Sequence, residues 1–205
     1  MAVTALVGAQ WGDEGKGKVI DILAQKSDMV VRAQGGNNAG HTVVANGVTY
    51  KLRLIPSGIL YKGAVCVVGN GVVIDPAVIL SEMDALKNSG VDVSRLKIDA
   101  RAHVILPYHL ALDELSEKAR GAGDIGTTKR GIGPCYMDKA ERIGIRMCDL
   151  IKPAVFEEKL KRNVEIKNNI ITKIYGGEPI SFEKTLADYK QYAEKLAPYV
   201  CDTSV

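Results

Sequence analysis

Residues 8–18 read Gly-Ala-Gln-Trp-Gly-Asp-Glu-Gly-Lys-Gly-Lys, between a short apolar run, Thr4–Val7, and a helical pattern from about Gly15 to Gln25. Gly12-x-x-x-x-Gly17-Lys18 fits the first seven positions of a P-loop. Glycines there let backbone N–H groups turn inward around a phosphate, and the helix N-terminus adds its partial positive charge. Lys16 and Lys18 bring full charges to the same turn. A strand, such a loop and a helix in succession predict an α/β fold with a mostly parallel sheet. Two departures from the motif carry chemistry of their own. Val19 stands where a hydroxyl residue would hold Mg²⁺, so the metal must find oxygen ligands elsewhere. Asp13 and Glu14 place carboxylates in a loop shaped for anions, where a negative charge repels phosphate unless it binds a metal or takes a substrate proton. Asp13 suits either role, whereas Glu14 suits capping of the helix.

The rest of the first ninety residues continues the α/β alternation. Met29–Ala33 reads as a strand ending in the loop Gly35–Thr42, and Val43–Ala45 with Val48–Leu54 flank Asn46-Gly47, a strong hairpin signal. Ala64–Val68 reads as a strand that Gly69-Asn70-Gly71 would turn, and Asp75-Pro76 starts a helix that stops near Gly90. Lys97–Asp99 and His103–Leu106 look like further strands. Beyond Tyr108 the pattern becomes helical: about Leu110 to Arg120, the loop Gly121–Pro134, then about Ala154 to Tyr175 and Ser181 to Leu196. The expectation is one domain, with 1–107 as its nucleotide-binding α/β portion and 108–205 as a loop plus a helical interface segment.

Charge narrows the partners. With 27 basic and 24 acidic side chains the net charge is +3, too small for a surface built to hold a nucleic-acid backbone. Any bound anion is then small and met by a local site. No apolar run approaches the ~20 residues of a membrane span. The start lacks a signal-peptide pattern and the four cysteines form no C-x-x-C pair, so free buried thiols and a cytoplasmic location are expected.

Two more loops add to the first. Gly35–Thr42 follows a strand and should emerge at the same sheet edge; it carries His41, suited to donating a proton or polarising an oxyanion, and Asn38, suited to reading a heterocycle. Ile125-Gly-Thr-Thr-Lys-Arg-Gly-Ile-Gly-Pro134 offers backbone donors, hydroxyls and cations for a second phosphate, such as that of a nucleoside monophosphate. Arg142 and Arg146 follow on an expected helix. His103 and His109 attract no role.

Gln10–Lys18, Gln34–Thr42, Ile55-Pro-Ser-Gly58, Gly69-Asn-Gly71 and Gly126–Pro134 together resemble the adenylosuccinate synthetase family, across essentially the whole chain. The resemblance implies a GTP-dependent ligase that joins L-aspartate to IMP on the way to AMP, acting as a homodimer with Mg²⁺. It implies Asp13 as the base at N1 of IMP, His41 as its acid partner and Lys16 on the transferring phosphate, with a 6-phosphoryl-IMP intermediate. It puts GTP on Gly12, Asp13, Glu14, Gly15, Lys16, Gly17, Lys18, Gly40, His41 and Thr42. IMP falls on Asp13, Glu14, Gly15, Lys16, Asn38, Ala39, Gly40, His41 and Thr128, with Arg142 reaching the IMP of the other subunit. The metal would sit on Asp13 and the Gly40 carbonyl. Members of the family continue well past this point, through the parts that grip aspartate and read guanine. The resemblance therefore predicts that residues 1–205 hold the phosphate-transfer machinery without efficient turnover alone. The alternative is a fragment that binds nucleotide, or pairs with other subunits, without turning over.

Overall fold

Strand β4 (Val65–Ile74) is the axis of a parallel sheet, with β1 (Met29–Gly35) along one edge. On its other edge lie β5 (Leu96–Asp99) and, further along, β6 (His103–Val104). In this computed structural model, residues 2–10, 15–38, 40–45, 47–121 and 126–204 are described. Val200–Cys201 returns as β7 beside β5, also parallel, giving the order β1-β4-β5-β7 with β6 on β4. Strand β1 leaves one face exposed, whereas β4 is apolar and buried on both faces over most of its length, with helices as cover. These are α1 (Lys16–Ala24), α2 (Pro76–Asn88), α3 (Pro107–Arg120), α4 (Ile132–Glu141), α5 (Met147–Leu150), α6 (Pro153–Lys173) and α7 (Phe182–Leu196). The architecture is the expected α/β one. A separate antiparallel hairpin joins β2 (His41–Ala45) and β3 (Val48–Leu52), with Gly47 at φ +77° in its turn.

Several expectations need correction. Residues 2–10 form no strand, and Val3 and Val7 are 90% and 84% exposed. An apolar pattern creates a potential strand, but only a neighbour's ladder completes one, and none among the described residues reaches this segment. Gly69-Asn70-Gly71 is not a turn either: β4 runs through it to Ile74. The glycine serves a close approach instead. The β1–β4 register shifts between Arg32 and Gln34, and a Cβ on Gly71 would lie 2.2 Å from the Ala33 carbonyl oxygen. The third loop is shorter than expected because Ile132 already begins α4. Arg142 is not helical but adopts the left-handed conformation, φ +66°, as the C-cap of α4, and Arg146 precedes α5. Of the four free cysteines, Cys66 and Cys135 are buried, while Cys148 and Cys201 are half-buried.

One apolar cluster spans the whole fold. Val68 and Ile74 of the sheet and Met83 of α2 pack in it with Phe156, Leu160, Tyr189 and Leu196 of the helical segment. Phe156 stacks on Tyr189 with ring centres 6.2 Å apart, and the Tyr189 hydroxyl donates to the Ile105 carbonyl at 2.8 Å. Among the buried polar groups, Asp138 on α4 accepts from His109 Nε2 at 3.0 Å and from Lys167 Nζ at 2.5 Å, tying α3, α4 and α6 together. The Leu106 N–H donates to His109 Nδ1, so the proton offered to Asp138 is on Nε2.

Candidate functional site

The first turn of α1 is prepared for an anion. Gly15 precedes it in the left-handed conformation, φ +76°, no side chain among the described residues caps the helix, and no acidic residue lies in its first turn. Lys16 and Lys18 are exposed there. Gly12, Asp13 and Glu14 of the first loop, and Ala39 of the second, lie outside the described residues.

The elements that follow the two loops, α1 and β2, pack on each other. A Cβ on Gly17 would lie only 2.9 Å from the Cβ of His41, so the absence of a side chain at Gly17 is what lets α1 seat against β2. His41 opens β2 instead of standing free in a loop, which fixes its backbone. It is half-buried, and its Nε2 is buried without a hydrogen-bond partner among the described residues. Burial, followed by the positive charge of Arg32, lowers its pKa and keeps the imidazole neutral at neutral pH. Gly40 and Thr42 beside it are exposed. Asn38 is exposed too, but its side-chain oxygen already accepts from the Gly36 N–H at 3.3 Å.

Two charges that sequence reading passed over, half-buried Arg32 and buried Glu82, hold this corner. Arg32 of β1 donates to the carbonyls of Gly36, at 2.6 Å, and of Arg53. One guanidinium thereby spans both ends of the segment that carries His41. Burial lowers the pKa of Arg32, partly opposed by Glu82. Glu82 of α2 accepts the backbone N–H groups of Arg53 and Leu54, at 2.5 and 2.9 Å. Both had a signal: Arg32 is a charge inside an apolar strand run, and Glu82 falls on the face of α2 that buries Ile79, Met83 and Leu86.

The third loop approaches the second through α4. The Tyr136 hydroxyl accepts from the Gly35 N–H at 2.9 Å and donates to the Gly71 carbonyl at 2.6 Å, and a Cβ on Gly36 would lie 2.5 Å from Ile132 Cδ1. Thr128 is exposed, but the loop's Gly126 and Thr127 N–H groups point to the carboxylate of Glu117 on α3. Arg142 is not brought to these residues within the chain. It lies at the far end of α4, which at ~1.5 Å per residue puts about 15 Å of helix between it and Ile132. Among the described residues no group of three or more His, Cys, Asp or Glu side chains could hold a metal.

The family model for adenylosuccinate synthetase matches residues 5–205. The chain belongs to the adenylosuccinate synthetase family. It is 60% identical over 205 residues to an adenylosuccinate synthetase of Thermoanaerobacter sp. and 62% identical over 207 residues to that of Caldanaerobacter subterraneus subsp. tengcongensis. In both cases the match covers 100% of this chain and 48% of the relative. The structure of fully ligated adenylosuccinate synthetase from Plasmodium falciparum superposes with a TM-score of 0.82 at 39% identity, covering 95% of this chain and 45% of that one. The chain thus spans about half the length of the adenylosuccinate synthetases it matches. No described helix is long and apolar enough to cross a membrane.

Proposed function

We propose that the chain carries the phosphoryl-transfer part of an adenylosuccinate synthetase, the GTP-dependent ligation of L-aspartate to IMP. The observation that supports this reading is the approach of Gly17 to His41, which sets an anion-ready helix N-terminus against a neutral histidine whose buried Nε2 lacks a partner among the described residues. A phosphoryl oxygen lying between them would supply that partner. In this reading GTP lies along Gly12–Lys18 and Gly40–Thr42. IMP meets Asn38, Gly40, His41 and Thr128, and also the stretch 13–16 and Ala39. Asp13 removes the N1 proton of IMP, and the 6-oxygen attacks the γ-phosphorus while GDP departs. His41 hydrogen-bonds the oxygens where charge grows, and Lys16 holds the group in transit. The aspartate amine then displaces phosphate from C6, giving adenylosuccinate. Mg²⁺ would neutralise the nucleotide's phosphate charge, held by Asp13 and the Gly40 carbonyl. Arg142, remote from Thr128 in its own chain, would serve the IMP of a second subunit in a homodimer. The cell's cytoplasm, where nucleotides of this kind are made, is the proposed location.

Residues 1–205 alone are expected to bind nucleotides without efficient turnover, since the adenylosuccinate synthetases are about twice as long. Titration of GTP in the presence and absence of IMP, and the reverse, tests the reading. Each nucleotide should tighten the other. GTP binding indifferent to IMP would favour a plain nucleotide-binding module and overturn it. Fused to the remaining half of the Caldanaerobacter relative, the chain should ligate aspartate to IMP, and Asp13→Asn should abolish that ligation.

A further inference from the structure

The third loop is held by two carboxylates one turn apart on α3. Asp113 accepts the Gly131 N–H at 2.9 Å, where Gly131 is pressed so close to α3 that a Cβ would lie 2.9 Å from that of His109. Glu117 accepts the N–H groups of Gly126 and Thr127 with one oxygen, Oε1. Its environment is unlike that of Asp113. Glu117 is only 7% exposed, and its second oxygen, Oε2, is buried with no hydrogen-bond partner among the described residues, only a long ion pair with Arg120 at 4.0 Å. The hydroxyl of Thr127, on the same loop, is also buried and has no hydrogen-bond partner among the described residues. Glu117, Thr127, Gly126, Lys118, Lys129 and Gly121 line a cavity of about 260 Å³, room for an anion several times the ~30 Å³ share of a water molecule.

Paired backbone donors, a hydroxyl and two lysines are the usual components of a phosphate cradle. Here the donors are already engaged by an internal anion. A carboxylate oxygen and a phosphate oxygen accept the same N–H groups, and the two negative charges repel at such a distance. The loop cannot serve both at once.

We infer that Glu117 is an internal competitor for the phosphate monoester of the incoming nucleotide: its carboxylate occupies the Gly126 and Thr127 donors until the ligand's phosphate takes them over, and so sets the affinity of the site. The inference rests on the reading in which the Thr128 loop takes the phosphate of IMP, and adds to it a residue whose removal should strengthen binding. Asp113, which holds the loop at its Gly131 end, is an anchor and not a competitor.

Calorimetric titration of the chain with IMP, with inorganic phosphate as a competing probe, tests it. Replacing a charged acceptor that must be displaced should tighten IMP binding by about tenfold in Glu117→Ala and by about threefold in Glu117→Gln, which keeps the shape and an acceptor oxygen. Asp113→Asn and Thr128→Ala should each weaken it. Amide exchange gives a second readout. In Glu117→Ala the Gly126 and Thr127 amides should exchange quickly without ligand and be protected again by IMP. If both Glu117 variants bind IMP no better than the parent while Thr128→Ala weakens binding, Glu117 is a brace and the inference is wrong. If Thr128→Ala changes nothing and inorganic phosphate does not compete with IMP, the phosphate reading of this loop fails and the inference falls with it.

Discussion

His41, His103 and His109, the only histidines in the chain, all have their pKa pushed down by burial. For His103 the nearby cations Lys139 and Arg146 add to the burial and take the value to about 4. The sign of the consequence follows directly. Below the ordinary imidazole value of 6.5 the unfolded chain takes up protons that the folded chain refuses, so acid favours unfolding. The urea midpoint should therefore fall as pH drops from 6.5 towards 4, and His103→Asn should flatten part of that slope; a midpoint constant across the window would contradict the burial of these rings. Asp138 acts lower on the scale. Burial would raise its carboxyl, but His109 and Lys167 together hold it below the usual carboxylate range. Its contribution is present above that range and is lost only as pH falls through the depressed value. Nothing in the sequence marked His109. A histidine on an apolar helix face is ordinary until its partners are known, and Asp138 and Lys167 lie 29 and 58 residues further on.

Helix α1 and hairpin β2–β3 meet over a glycine, and that contact has a cost that can be measured. Gly17→Ala would place a methyl carbon 2.9 Å from His41 Cβ, closer than carbon atoms pack, so either α1 or the start of β2 must shift by several tenths of an ångström. Because both carry the proposed nucleotide contacts, GTP affinity should drop by at least about tenfold while the sheet, remote from the contact, keeps its circular dichroism; unchanged affinity would show that the contact does not organise the site. The elements themselves were largely legible. Asp75-Pro76 announced α2, and the Asp75 carboxylate does accept the N–H groups of Ala77 and Val78. Asn46-Gly47 announced the hairpin, because a tight turn is a local matter of φ. What misled was glycine in β4, where the same residue type that makes turns also makes room for a neighbouring backbone.

The two portions of the chain, sheet and helical segment, share one apolar cluster, and Phe156 sits fully buried at their junction. Phe156→Ala should cost about 3–5 kcal/mol and lower a single cooperative transition, with far- and near-ultraviolet dichroism changing together. A variant in which the helices melt before the sheet would show two units instead of one. β1 has β4 on one side and, among the described residues, no strand on the other, and its Met29 and Val31 are more than half exposed. Apolar patterning decided that 4–7 and 29–33 are strand-like; pairing decided that only the second is a strand, and carried it on to Gly35. Residue order alone was enough for the α/β class, the three glycine-rich loops and the kind of anion they suit, because turns, caps and periodicity act between near neighbours. Which loops touch, that Arg32 and Glu82 clamp the His41 segment, that Glu117 already fills the third loop and that Arg142 stands apart all depend on groups far apart in sequence, and only packing brings those groups within reach of one another.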